Sequence, residues 1–320
     1  MDATGRLGQP SVAGHDWAQR RLDRLAALQL DPRGAQSLIF ELNFELCSVC
    51  NLRCKWCSLD SKIRPGLMTI DTFRRVLDEI RDEARFRVRV MNLHHSGDVL
   101  LHPKFAEFLD VISEEKTRWP EGQFPFVQML TSATHLRGDK ARALLESDAI
   151  DWLRFSVDGG NRKDMEAIRV GAKWDDVLGN INAFLDEADR RGKTIRTGLI
   201  AIFETPEPEI SDEFRRLVSR VTNYMPRLPH NWVGKTDLGL PPPAARPTGF
   251  CTFILSQLVV LHDGKVTLCC ADLNGDGVIG DLATESLYDI FRGAKRAQHI
   301  RLMKEGRRHD LPMCGTCDQE

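Results

Sequence analysis

Nine cysteines in this 320-residue chain fall into two groups. Four stand at positions 47, 50, 54 and 57, within CSVCNLRCKWC, and five at 251, 269, 270, 314 and 317. None lies between. Disulfides are rare in the cytosol and nine is odd, so tight clustering points to metal binding. Cys50, Cys54 and Cys57 follow C-x3-C-x2-C. Three thiolates at that spacing can hold three corners of a [4Fe–4S] cube and leave the fourth iron open to a ligand. Downstream, Cys251, Gly264 and Cys269 give C-x12-G-x4-C, and a terminal C-x2-C adds Cys314 and Cys317. Those four thiolates form a complete ligand set for a second, fully ligated [4Fe–4S] cluster. Zinc is the alternative for both groups. It favours paired C-x2-C knuckles totalling four ligands, which fits the first triplet poorly and the second group better.

These ligands need a scaffold. Residues 38–46 (LIFELNFEL) read as a strand with Phe40, Leu42, Phe44 and Leu46 on one face. The other face carries Glu41, Asn43 and Glu45, as a strand bordering a polar cavity would. A helix follows at 69–84, with Thr69 and Asp71 near its start and Phe73, Val76, Leu77 and Ile80 on its apolar stripe. Strands at 87–93, 125–131, 151–157 and 194–202 alternate with helices at 103–116, 138–147, 174–190 and 211–223. A short strand is expected near 230. Six βα units argue for a parallel α/β sheet with outer helices. A closed eight-unit barrel takes about 250 residues, and roughly 200 are available here, so a partial (β/α)6 barrel is expected.

The proline-rich stretch 241–247 (PPPAARP) reads as a linker. The expected organisation is an N-terminal helical extension over 1–37, a barrel over 38–240 and a small α+β cysteine-bearing domain over 248–320. Residues 251–269 read as a hairpin turning at His262–Gly264. DLNGDG (272–277) mimics the start of a calcium loop, but position 12 would be Ala283 rather than glutamate, so a turn is expected. Lysine plus arginine number 44 against 46 acids, for a net charge of −2. That balance favours neither nucleic acid nor a membrane surface as partner. The N-terminus lacks the order of a secretory signal, and no apolar run reaches the roughly 18 residues of a membrane span. Residues 15–30 read as an amphipathic helix packed on the main domain, and a cytoplasmic location is expected.

The first triplet, with Trp56 just before its last cysteine, resembles the signature of the radical SAM superfamily. The resemblance implies that the open iron chelates the amino and carboxylate groups of S-adenosylmethionine. It further implies that an electron, supplied by an external reductant such as flavodoxin or ferredoxin, breaks the S–C5′ bond. The 5′-deoxyadenosyl radical then abstracts a substrate hydrogen. HSGD (95–98) resembles the family's GGE-type segment, which assigns Ser96, Gly97 and Asp98 to the methionine amino group; LLHPKF (100–105) is also familiar there. FSVDG (155–159) resembles the ribose-contacting segment and points to Ser156 and Asp158. Arg169 matches a position that meets the methionine carboxylate. TSA (131–133) stands where TNG is more usual, and GLIAIFE (198–204) resembles the adenine-contacting segment only loosely. The C-terminal pattern resembles the short twitch version of the SPASM extension, which implies one auxiliary cluster. The likeness spans residues 38–320.

A fully ligated auxiliary cluster is suited to moving an electron. The resemblance therefore implies oxidation of an alcohol carbon to a ketone, in the manner of the aminocyclitol dehydrogenases of natural-product pathways. Radical epimerisation is the alternative, with Cys270 or Cys47 returning a hydrogen atom; the plain alternative makes each a core or semi-buried side chain. Peptide modification is disfavoured, because only about 38 residues precede the first strand. Outside this class stand a zinc-stabilised binding module and a simple electron carrier. Candidate substrate contacts are Glu41, Asn43, Glu45, Trp232, Lys235, Asp237 and Arg246.

Overall fold

The structure, a computed structural model, describes residues 37–60, 62–239 and 251–318. The expected helix at 15–30, the linker at 241–247 and Arg246 lie outside the described residues. Six strands form a parallel sheet in chain order: β1 (Ser37–Phe44), β2 (Phe86–Asn92), β3 (Phe126–Thr131), β4 (Trp152–Ser156), β5 (Arg196–Ile202) and β6 (Asn223–Arg227). Helices α1 (Ile70–Asp82), α2 (Phe105–Arg118), α3 (Gly138–Glu146), α4 (Arg162–Ile168), α5 (Trp174–Arg190) and α6 (Asp212–Arg220) connect them. This is the partial (β/α)6 barrel that the alternating pattern predicts. Among the described residues no pairing between β6 and β1 closes it.

Local chemistry accounts for the elements. The Thr69 hydroxyl caps α1 by accepting from the Thr72 N–H at 3.1 Å, and Phe73, Val76, Leu77 and Ile80 are its buried residues. That is the stripe the 3.6-residue period predicts. Phe73 meets Phe44 of β1 edge-on at 4.8 Å and Phe108 of α2 at 5.2 Å, locking strand to helices. The strand expected near 230 lies at 223–227 instead. It contains Pro226, which an edge strand tolerates because one side of its backbone bonds no neighbouring strand. Helix α4 has no counterpart among the expected elements; its seven residues are too few for a periodic signal, and its clearest mark is the Asn161 cap.

The C-terminal residues form α7 (Phe253–Ser256), β7 (Gln257–Val260), β8 (Lys265–Thr267), β9 (Val278–Asp281), α8 (Leu287–Arg292) and α9 (Ala294–Lys304). The hairpin β7–β8 turns over Leu261–Gly264, where Gly264 takes φ +85°. Strand β7 pairs in parallel with β1, giving one nine-stranded sheet in the order β9-β8-β7-β1-β2-β3-β4-β5-β6. An open barrel leaves the β1 edge with unpaired backbone groups, and β7 covers them. The cysteine-bearing segment thus continues the barrel sheet. Among the described residues no helix is long and apolar enough to cross a membrane.

Candidate active site

Cys50, Cys54 and Cys57 sit in the loop after β1, at the C-terminal end of the parallel strands, where βα loops converge. Their loop is pinned by a two-residue ladder, Arg53–Cys54 against Arg169–Val170, and by Lys55 N–H donating to Ile168 O at 2.7 Å. Within it, Leu52 N–H donates to Cys50 Sγ at 3.4 Å. Cys251 precedes α7, Cys269 follows β8, and Cys314 and Cys317 flank a 3-10 turn whose Cys317 N–H donates to Cys314 O at 3.3 Å. All seven line one cavity of about 480 Å³, which brings the two groups into a shared space. No disulfide joins any of the nine cysteines.

Burial pushes the thiols of Cys50, Cys54 and Cys57 above their ordinary range, and the Arg169 guanidinium draws each partly back. Burial likewise raises Cys251, and raises Cys314 to about 12, against the pull of Arg308. Buried thiols of this kind ionise when a metal displaces the proton. Three thiols on one loop and four on the C-terminal segment, all lining one cavity, have the donor chemistry of iron–sulfur clusters. Cys50, Cys54 and Cys57 would hold the first, and Cys251, Cys269, Cys314 and Cys317 the second.

The residues expected to meet S-adenosylmethionine line the same cavity: Trp56, Ser96, Gly97, Asp98, Ser156, Asp158 and Arg169. Gly97 is required by geometry. It takes φ +68°, and a Cβ there would lie 2.4 Å from Cys47 O and 2.6 Å from Val49 O. Only glycine lets the segment lie flat on the cysteine loop, where Asp98 N–H donates to Val49 O at 3.0 Å. The Asp98 carboxylate is occupied within the fold: it accepts from Leu100 N, Thr131 Oγ1, Ser132 N and Ser132 Oγ. It ties the end of β3 to this loop. Ala133, at the place where the family's glycine is more usual, takes φ +61°. Arg169 Nε donates to Asp158 Oδ2 at 2.8 Å and its Nη2 donates to Ser156 Oγ, so one buried guanidinium orders both expected ribose contacts. Asp158 also accepts from Ile202 N at 2.8 Å, which joins β4 to β5.

Several expectations need correction. Glu45 does not line the cavity. Strand β1 ends at Phe44, and Glu45 turns into a closed network in which Arg64 donates twice (2.6 and 2.9 Å), His262 N–H donates at 3.0 Å and Ser96 Oγ also donates. His262 Nδ1 lies 2.8 Å from the same carboxylate. Burial opposes the charge of Glu45, but the hydrogen bonds from His262 and Arg64, with His95 at 3.6 Å, outweigh it and hold the carboxyl far below its usual range. Cys47 is also outside the cavity; it is buried, its Sγ points to Val49 O at 3.5 Å, and burial raises its thiol to about 11. Lys235 pairs with Asp276 at 2.9 Å, and Asp237 accepts from Gly239 N–H; neither reaches the cavity. The DLNGDG loop, by contrast, is the turn that was expected: Asp272 spends its carboxylate on Thr267 Oγ1 and the N–H groups of Asp276 and Gly277.

Glu41, Asn43, Trp232 and Cys270 do line the cavity, with Asn92, His94, Arg154, Arg227, His230 and Arg308, which the sequence reading missed. A chain of side chains runs along this wall. Asn92 Nδ2 donates to Asn43 Oδ1 at 2.8 Å, Asn43 Nδ2 to Gln257 Oε1 at 3.4 Å, and Gln257 Nε2 reaches Cys270 Sγ at 3.6 Å. Arg154 Nη2 meets His94 Nε2 at 3.3 Å. Desolvation lowers Arg154 to about 10 and raises Glu41. Period two along β4 places Arg154 on the same face as Ser156, and that signal was available in the sequence.

Comparison with known proteins agrees with this arrangement. Residues 44–208 match the Radical SAM superfamily, and residues 251–318 match SPASM, an iron–sulfur cluster-binding domain. A search of curated proteins by sequence finds no match. Among solved structures, BtrN in complex with AdoMet and 2-DOIA is similar at a TM-score of 0.60 and 18% identity, over 88% of this chain and 94% of that one. Streptococcus suis SuiB bound to precursor peptide SuiA is similar at 0.62 and 12%, over 92% and 73%. Native anSMEcpe with bound AdoMet is similar at 0.57 and 14%, over 87% and 88%. Identities this low speak for the fold.

Proposed function

This chain belongs to the radical SAM superfamily, and from that membership we propose that it oxidises a small polyol, sugar or aminocyclitol-like substrate in natural-product biosynthesis. The observation that carries the proposal is the one cavity that both cysteine groups line, so that a substrate bound there shares it with both. When bound, the first cluster with S-adenosylmethionine supplies a hydrogen-abstracting radical, and the second supplies an acceptor for one electron. In net terms the substrate loses two hydrogen atoms: one leaves to 5′-deoxyadenosyl, the other as a proton and an electron. Arg169 holds Ser156 and Asp158 in place, and Asp98 fixes the loop beside the cysteines. Glu41, Asn43, Asn92, His94 and Arg154 present polar groups on the wall, which suits a small hydroxylated substrate. The first reduction comes from an external donor such as flavodoxin or ferredoxin.

One observation favours a second reading. Cys270 lies on the cavity wall, oriented by Gln257, where it can return a hydrogen atom as an epimerase requires. The two readings separate in deuterated buffer. Reconstituted protein with S-adenosylmethionine, dithionite and a panel of polyols and aminocyclitols is expected to give a product two hydrogens lighter, one 5′-deoxyadenosine per product and no solvent deuterium at carbon. A product of unchanged composition carrying one solvent deuteron, lost in Cys270→Ala, would establish epimerisation instead.

A further inference from the structure

Arg308 stands in a 3-10 turn six residues before Cys314, with 1% of its surface exposed. Its Nε donates to Cys314 O at 3.1 Å and its Nη2 to Cys317 O at 3.3 Å, so one guanidinium grips the carbonyls of both cysteines of the terminal C-x2-C. Its charge bears on Cys251 as well as Cys314. It also lines the cavity, on the side of the second cysteine group. Gly315 fits the same tight turn, because a Cβ there would lie 2.8 Å from His309 O. A guanidinium brings a positive charge and a rigid fork of N–H donors to this turn.

Four thiolates give a cluster net negative charge, and adding an electron increases it. A fixed cation nearby stabilises the more negative state, and removal from water strengthens that effect. We propose that Arg308 sets the electron affinity of the second centre, holding its reduction potential above what four buried thiolates would give by themselves. This rests on assigning Cys251, Cys269, Cys314 and Cys317 to an iron–sulfur cluster, and it holds for oxidation and epimerisation alike. Arg308 is a positioning residue; it touches the ligand backbone and carries no electron itself.

The test uses full-length protein carrying Cys50/Cys54/Cys57→Ala, so that the paramagnetic signal comes from the second centre alone. Titration with dithionite, followed by electron paramagnetic resonance, reads the one-electron midpoint potential; iron analysis reads occupancy. About four irons per chain establish the assignment independently of the potential. Arg308→Gln is expected to make reduction at least tenfold less favourable, a shift of about 59 mV or more to negative potential for one electron. Arg308→Lys, which keeps the charge, is expected to stay near the parent value. A parent-like potential in Arg308→Gln, or equal shifts in both variants, overturns the proposal. If Arg308→Gln fails to hold iron, Arg308→Lys decides alone: the parent potential supports the charge effect, and a negative shift of about 59 mV or more refutes it.

Discussion

Replacing Glu45 with glutamine should destabilise the protein more than any surface change, because three separate segments meet at its carboxylate. Its side chain is fully buried and accepts from Arg64 at 2.6 and 2.9 Å, from His262 N–H at 3.0 Å and from Ser96. Arg64 belongs to the chain after the cysteine loop, Ser96 to the expected methionine-binding segment, and His262 to the β7–β8 turn. The amide keeps the shape but removes the charge, leaving Arg64 largely buried without its carboxylate. Breaking one side of such a pair costs about 3–5 kcal/mol, whereas replacing both sides together costs far less. We therefore expect Glu45→Gln and Arg64→Met each to lose about 3–5 kcal/mol in denaturant unfolding of the reconstituted protein at about pH 7. The double variant should lose less than the sum by about 2 kcal/mol or more. A coupling below about 0.5 kcal/mol would show that the two side chains act independently and refute the reasoning. The pH dependence has a definite sign. The folded pKa of Glu45 is depressed, so its stabilisation is complete above the unfolded value of about 4.3 and is lost as pH falls below it. The wild type should lose this contribution below about pH 4.3, and Glu45→Gln should have a correspondingly flatter acid limb.

Further outcomes are expected at other positions. Gly97→Ala, which puts a Cβ 2.4 Å from Cys47 O, should abolish dithionite-dependent 5′-deoxyadenosine release while leaving the second centre's iron in place; normal release would mean the loop relaxes freely. Phe73→Ala removes the ring between Phe44 and Phe108 and should cost about 3–5 kcal/mol in unfolding free energy, measured by denaturant titration. Ala133→Gly relieves a left-handed Ala whose strain is about 1–2 kcal/mol, less about 0.4–1 kcal/mol of added chain entropy, so a gain of up to about 1.6 kcal/mol is expected in the same titration. Finally, Cys50/Cys54/Cys57→Ala should lower iron from about eight to about four per chain and end 5′-deoxyadenosine formation, read by iron analysis and chromatography.

Much of the architecture was determined by the sequence alone, because it rests on short-range periodicity. Phe73, Val76, Leu77 and Ile80 repeat at the helical period, and all four are buried in α1. The first five strands of the barrel were legible for the same reason, and the two cysteine groups that spacing sets apart line one cavity. Helix α4 escaped because seven residues carry too little periodicity. Only the tertiary structure decided what each polar residue faces. Glu45 continues the inward alternation of β1 on paper, yet the strand stops one residue earlier and the side chain turns toward Arg64 and His262, residues 19 and 217 positions away. Cys47 and Cys270 look equivalent as spare thiols, but one is buried with its Sγ on Val49 O and the other stands on the cavity wall. The joining of β7 to β1 could not be read locally either, since edge pairing depends on which backbone groups the finished barrel leaves open. Arg308 reads as one basic residue in a polar run, and folding alone brings its charge under the second set of thiols. Spacing fixes which ligands belong together; long-range packing fixes the charges around them, because electrostatic neighbours are set by distance in space and not along the chain.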